Sequence, residues 1–230
     1  MKRIAAWNCA DAFAKKSDAL SALNADVAVV SEVRREAIER AGIEPGQVAW
    51  KGSAGGKGIA VICRKGWTVS ARDLAISDIW YLAVVVRSES TEFQILGVWA
   101  QHKGVKGDPT FRTLENCADF IRQRPTIVAG DFNNNVNWDI GKKKNQFADT
   151  LSLIGDLGLR SAWHDFKSER YGEETAPTLY WRRSSTRVYH IDYVFLPNHK
   201  DWKPSSVEIG SYADWVASGL SDHAPVIVTL

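Results

Sequence analysis

Polar residues that could hold a metal ion or move a proton stand at the ends of apolar runs in this sequence. Asn8 follows the run 4–7, Glu32 follows 26–31, and Gly130-Asp131-Phe132-Asn133 follows 126–129. His190-Ile191-Asp192 opens a further apolar run, and Ser221-Asp222-His223 precedes the last one. One carboxylate at a strand end is ordinary, whereas five ends that each add an acidic or amide oxygen beside a buried run form a constellation. The donors are oxygen-rich and include no thiolate, which suits Mg²⁺ or Mn²⁺ better than zinc. An ion held by few carboxylates keeps open water positions and suits phosphate oxygens.

Spacing adds geometry to this set. Asp131 and Asn133 are two residues apart, so in an extended chain both face one way and Phe132 faces the core. His190 and Asp192 stand in the same relation, which predicts that His190 also faces the site. Asp222 and His223 are adjacent and can both point inward only if the chain turns there. Gly219 upstream and Pro225 downstream make such a loop plausible.

The elements that must carry these residues alternate along the whole chain. Strands are expected at 4–7, 26–31, 58–63, 81–86, 93–99 and 126–129, and again at 178–181, 190–196, 206–209 and 224–229, from apolar runs rich in β-branched and aromatic residues. A helix capped by Ser17 would turn Leu20 and Leu23 inward. Phe111, Leu114, Cys117, Ala118 and Ile121 recur at helical spacing, as do Phe147, Leu151 and Ile154. Strands outnumber helices, and some neighbours are too close in sequence for a crossover. This predicts an α/β fold of two mixed sheets packed face to face with helices outside, as a single domain over residues 1–230. Because the first strand begins almost at the first residue, no accessory domain is expected before it.

Composition narrows the classes. With 45% hydrophobic and 24% charged residues the chain is neither disordered nor fibrous. A formal charge of +2 is far from that of a protein coating nucleic acid, so any contact with a polyanion must be through a local patch. The cysteines Cys9, Cys63 and Cys117 are odd in number, lack metal-binding spacing and sit in apolar runs, which predicts buried reduced thiols. The N-terminus has no signal-peptide stretch and no run is long enough to cross a membrane, so a cytoplasmic protein is expected. Most of the ten tryptophans are expected in the core.

Trp7-Asn8, Ser31-Glu32-Val33, Gly130-Asp131-Phe132-Asn133, Tyr189-His190-Ile191-Asp192-Tyr193 and Leu220-Ser221-Asp222-His223-Ala224-Pro225 together resemble the endonuclease/exonuclease/phosphatase superfamily, in the family's order. The resemblance implies a four-layer α/β sandwich like that of deoxyribonuclease I and hydrolysis of phosphate esters with Mg²⁺ or Mn²⁺. It implies that Glu32 is the principal metal ligand with Asn8 beside it, and that Asp222 is a further metal or hydrogen-bonding ligand. Asp131 would activate the attacking water or assist the leaving oxygen, and Asn133 would orient the nucleophile or hold the phosphate. Asp192 would fix His223, which would stabilise the pentacovalent phosphate or act as acid/base. Family members often carry a His or Tyr after the strand matching 93–99. Here Trp99-Ala100-Gln101-His102 stands there, making Trp99 and His102 candidate substrate contacts. Neither Asn8-Cys9-Ala10-Asp11 nor Ser31-Glu32-Val33-Arg34 follows the apurinic endonuclease pattern.

Lys142-Lys143-Lys144 near the Asp131 loop, and Arg182, Arg183 and Arg187 before His190, would suit an extended phosphate backbone, with Trp138 or Trp181 stacking on a base. A Lys run is more often a solvated surface than a binding site. Nucleic acid cleaved by an endonuclease is the leading expectation. A small-molecule or lipid phosphoester is the second, and a non-catalytic phosphate-binding member the third.

Overall fold

The computed structural model describes residues 2–74, 80–101, 107–141 and 144–230. From the N-terminus come β1 (Arg3–Asn8), α1 (Ser17–Ala22), β2 (Val27–Arg34), α2 (Arg35–Arg40), β3 (Val48–Gly52) and β4 (Lys57–Cys63). The middle contributes β5 (Thr68–Ala71), β6 (Tyr81–Arg87), β7 (Glu92–Trp99), α3 (Pro109–Asn116), α4 (Ala118–Gln123), β8 (Thr126–Asp131) and α5 (Phe147–Asp156). The last third holds β9 (Leu159–Ser161), α6 (Ala162–Lys167), β10 (Leu179–Tyr180), β11 (Val188–Tyr189), β12 (Asp192–Pro197), β13 (Ser206–Ile209) and β14 (Val226–Thr229).

One six-stranded sheet has the order β13-β14-β1-β2-β4-β3 and the other β5-β6-β7-β8-β12-β9; β10 and β11 form a separate ribbon. Both sheets are mixed, with β1 and β2 parallel in the first and β7 and β8 parallel in the second. The alternation of side chains decides the layers. Ile4, Ala6, Val27, Val29, Ile59 and Val61 of one sheet meet Val84, Ile95, Ile127, Ala129, Val194 and Leu196 of the other in the central core. The opposite parity covers the outer faces. Trp7, Val30 and Ile62 pack against Leu20, Ile38 and Trp215, and Val98, Val128 and Phe195 against Leu114, Phe120, Phe147 and Ile154. This is the four-layer α/β sandwich expected from the sequence.

Close approach leaves little room for a side chain at Gly97 and none at Gly130. A Cβ at Gly97 would lie 3.0 Å from Ile59 Cδ1 and 3.3 Å from Val29 Cγ1 of the facing sheet. Gly130 has φ +137°, and a Cβ there would lie 2.0 Å from the Val98 carbonyl oxygen on the neighbouring strand.

Some elements depart from expectation. The helix read through residues 111–121 is two helices meeting at Cys117, the first capped by Asp108, whose side chain accepts from Thr110 N. Ser17 is the first helical residue of α1 and its side chain makes no cap. The strand expected at 178–181 shrinks to β10, and that expected from residue 190 begins only at Asp192. Short edge strands β3, β5 and β9 escaped the pattern because edge strands need little apolar alternation. Among the described residues, no helix is long and apolar enough to cross a membrane.

Cys9, Cys63 and Cys117 are free and buried, as expected. Burial pushes their thiols up, to about 12 for Cys9 and Cys63 and about 11 for Cys117. A thiol reagent at neutral pH should therefore find few reactive groups in the native protein and three after denaturation. Gly130→Ala should cost at least about 2 kcal/mol of stability in chemical denaturation, because the obstructing atom is backbone and the φ is open only to glycine. Wild-type stability in this variant would refute that account.

Candidate active site

The parity that fills the central core also delivers the site. Asn8 continues the inward face of Ile4 and Ala6, Asp131 that of Ile127 and Ala129, and Asp192 that of Val194 and Leu196. The β8–β12 register sets Asp131 directly opposite Asp192, and Asn8 Nδ2 donates to Asp131 Oδ2 at 2.9 Å. Glu32 has the wrong parity, since Val30 points to the outer face. A register break between Ser31 and Val33, with Glu32 at φ +58°, turns its side chain back toward Asn8, whose Nδ2 also donates to Glu32 Oε1 at 3.1 Å. Asn8 thus bridges the two carboxylates through its NH₂, while its Oδ1 accepts from Ala10 N at 3.0 Å.

His223 Nδ1 lies 2.8 Å from Asp192 Oδ2 in a buried pair. The turn before the last strand is pinned from three sides. His223 N donates to Ser221 Oγ at 3.0 Å, Ser221 Oγ donates to the Asn8 carbonyl at 2.7 Å, and Trp7 Nε1 donates to the His223 carbonyl at 3.1 Å. Thr178 Oγ1 accepts from both Ile191 N and Asp192 N at 3.0 Å and fixes the start of β12. Asn133 reaches Asp131 through a turn rather than by alternation. It has φ +48°, its N donates to Asp131 Oδ1 at 2.8 Å and its Nδ2 to Asp131 Oδ2 at 3.1 Å. Phe132 faces the core, as expected.

Charge is concentrated here. Burial alone would lower the His223 pKa, but the charge of Asp192, its hydrogen bond, and the fields of Asp131 and Asp222 outweigh it and push the imidazole up to about 10. Burial and the charge of Asp192 raise Asp131 to about 7, against the opposing pull of His223 and the hydrogen bonds from Asn8 and Asn133. Asp131, Asp192 and His223 each offer a ligand atom within 4.8 Å of the others. Asp192 Oδ1 is buried without a hydrogen-bond partner among the described residues. An orphaned carboxylate oxygen among crowded acids, with Glu32 next to them, fits a hard divalent cation.

Other candidates are placed differently. Trp99 was expected to offer its indole N–H to substrate. It is 6% exposed in the central core against Trp80, with Nε1 buried and without a partner among the described residues, because it shares the inward face of Ile95. His190 does not share the face of Asp192. The strand begins only at Asp192, so its alternation does not govern residue 190, and the imidazole turns to Tyr193 and His164 with Nδ1 2.8 Å from the Ala176 carbonyl. Asp222 is half-buried next to His223 in sequence and acts on it through its charge. Lys144 is exposed and lines a cleft of about 910 Å³ together with Asn133, and exposed Arg187 lines a second of about 490 Å³ that also reaches Asn133. His102, Lys142 and Lys143 lie outside the described residues. The reading of the sequence missed Lys57, whose Nζ lies 2.6 Å from Glu32 Oε2, and Thr178. Lys57 meets Glu32 only through the pairing of β2 with β4, so nothing local marks it.

No curated protein matches the sequence significantly. Solved structures do share its fold. The endonuclease domain of TRAS1, a telomere-specific non-LTR retrotransposon, superposes with a TM-score of 0.69 at 17% identity, covering 100% of this chain and 98% of that one. TDP2 from D. rerio, complexed with a single-strand DNA product, gives 0.68 at 12% identity over 99% of this chain and 97% of its own. The 3′ phosphatase NExo from Neisseria, bound to a product DNA hairpin, gives 0.69 at 16% identity over 100% and 99%. The model of the Endonuclease/Exonuclease/phosphatase family matches residues 5–223, nearly the whole chain, and the chain therefore belongs to that family of divalent-metal-dependent phosphoester hydrolases.

Proposed function

We propose that the protein hydrolyses phosphodiester bonds in nucleic acid with Mg²⁺ or Mn²⁺, most simply as an endonuclease acting as one domain in the cytoplasm. The observation that carries this reading is the meeting of Asn8, Glu32, Asp131, Asn133, Asp192 and His223 where two clefts bearing exposed cations converge on Asn133. The TRAS1, TDP2 and NExo structures support a polynucleotide substrate, since the first is an endonuclease domain and the other two hold DNA products. Free thiols suit a reducing compartment.

Glu32 is the principal ligand in this reading, with Asn8 beside it and Asp222 as a further oxygen donor. His223 is not a ligand, because Nδ1 is committed to Asp192 and the ring is held as a cation. Bound Mg²⁺ or Mn²⁺ would supply charge neutralisation on phosphate oxygens and lower the pKa of water. The chain supplies the rest. Asp131, hydrogen-bonded by Asn8 and Asn133, accepts a proton from the attacking water or assists the leaving oxygen. Asn133 orients the nucleophile, and the imidazolium of His223, anchored by Asp192, meets the charge that develops on phosphorus-bound oxygens.

A panel of DNA, RNA and small phosphoesters incubated with Mg²⁺, Mn²⁺ or chelator tests the reading. Cleavage of polymers with either metal and none with chelator is expected, and activity confined to small esters would overturn the substrate. His223→Ala should lower kcat by roughly 10²–10⁴-fold. Asp192→Asn should lower it too, and the double variant should lose much less than the product of both, since the residues act as a unit. Fully multiplicative losses would dissolve the pair.

The same pair predicts a pH dependence. In metal-free protein the His223 ring should stay protonated through neutrality and titrate only near 10 by NMR, against an ordinary 6.5. A folded pKa raised above the unfolded one adds stability that is complete below about 6.5 and lost as pH climbs through about 10. The stability advantage of wild type over Asp192→Asn should therefore shrink as pH rises across that window. An advantage that grows would contradict the pairing.

A further inference from the structure

Trp138 stands five residues beyond Asn133, at the end of a single 3₁₀ turn, Val136–Trp138, and is 41% exposed. An exposed indole on a surface loop normally has freedom to move, but this one is held. Asn135 Oδ1 accepts from Asn137 N at 3.0 Å, Trp138 N donates to the Asn135 carbonyl at 3.0 Å, and Asn137 Nδ2 donates to the Gly172 carbonyl at 2.9 Å. Tyr189 packs edge-on against the ring with centroids 5.2 Å apart.

Both clefts at the site are lined by Trp138 and Asn133, and they share no other lining residue. The cleft of about 910 Å³ carries Arg112, Ile140 and Lys144, and that of about 490 Å³ carries Trp181, Tyr189 and Arg187. Arg112, Lys144 and Arg187 are exposed and form no ion pair with a described residue. The acids of the larger cleft are already engaged. Asp108 caps α3, and Asp139 accepts from Phe147 N and Ala148 N. Each cleft thus offers an apolar wall and a free cation, the pairing that a base and its phosphate require. Among the described residues the two clefts carry three cations beside large exposed apolar groups, and a base with its flat apolar face exposed, as in a single strand, fits that combination.

We propose that Trp138 is a wedge that parts the substrate, so that the two bases flanking the phosphate at Asn133 lie in different clefts, unstacked from each other, with one of them against the indole. This favours single-stranded nucleic acid, because parting neighbouring bases of a duplex carries a cost of unstacking that a single strand largely escapes. The inference rests on the reading of Asn133 as lying at the scissile phosphate.

The test is binding in chelator, where nothing is hydrolysed, of single-stranded DNA, single-stranded RNA and duplex DNA of one length and sequence, followed by fluorescence anisotropy. Wild type should bind single strands more tightly than duplex. Trp138→Ala should lower that preference by about 10- to 100-fold, the range for one lost base–aromatic stack, and Trp138→Phe should retain most of it. Equal melting temperatures of the variants exclude unfolding as the cause. A preference for duplex, no binding of either form, or an unchanged preference in Trp138→Ala would overturn the wedge. Hydrolysis of bis(p-nitrophenyl) phosphate by wild type with Mn²⁺ reports the diesterase separately, since that substrate has no base. Diester hydrolysis without strand preference defeats the wedge alone, and strand preference without diester hydrolysis defeats the catalytic reading alone.

Discussion

Two carboxylates, Asp131 and Asp192, face each other across adjacent strands inside the central layer, where the side chains on the same face of those strands are apolar. Removing one carboxylate from water costs several kcal/mol even after the protein relaxes, and two side by side repel each other. His223 is the compensating cation, and much of the surrounding structure serves to hold it. Ser221 and Trp7 fix its backbone, Asp192 fixes its ring, and Thr178 fixes the backbone of Asp192. Even so, Asp192 Oδ1 lacks a partner among the described residues, and a divalent ion bound nearby would offset the remaining negative charge. Fold and chemistry are therefore linked through one electrostatic debt.

Backbone strain is present at the same place. Glu32 and Asn133 are non-glycine residues with positive φ, and Gly130 adopts a φ closed to other residues. Such conformations cost on the order of 1–3 kcal/mol each and persist only where surrounding structure over-determines them. Here the sandwich does so, with interdigitated apolar faces on both sides of each sheet. What the strain obtains is aim, since Glu32 crosses to the inner face and Asn133 doubles back on Asp131.

The approach to the site is divided in character. Asp131 and Asp192 make the site acidic, and the clefts that meet at Asn133 carry Arg112, Lys144 and Arg187 beside exposed aromatics. With a formal charge of only +2, long-range steering of a polyanion is weak. Recognition has to come from contacts inside the clefts, and there the apolar surface of Trp138, Trp181 and Tyr189 matters as much as charge.

The sequence alone determined the parity of the central strands, and through it the inward face of Asn8, Asp131 and Asp192, because strict alternation leaves a half-buried strand little choice. It also carried the turn at Ser221-Asp222-His223 and the pairing of His223 with Asp192, through blocks whose order resembled a known family. Where alternation broke, the reading failed. His190 lies just before the strand begins, so its parity meant nothing, and Trp99 had the inward parity that buried it rather than exposing its N–H. Only the tertiary structure decided three matters. The bulge that aims Glu32 arises from how β2 pairs with β4, which also brings in Lys57. The coupling of His223 to two buried acids depends on distances between strands remote in sequence. The position of Trp138 between two clefts depends on loops that carry no periodic signal, because a loop is positioned by what it packs against and not by its own pattern.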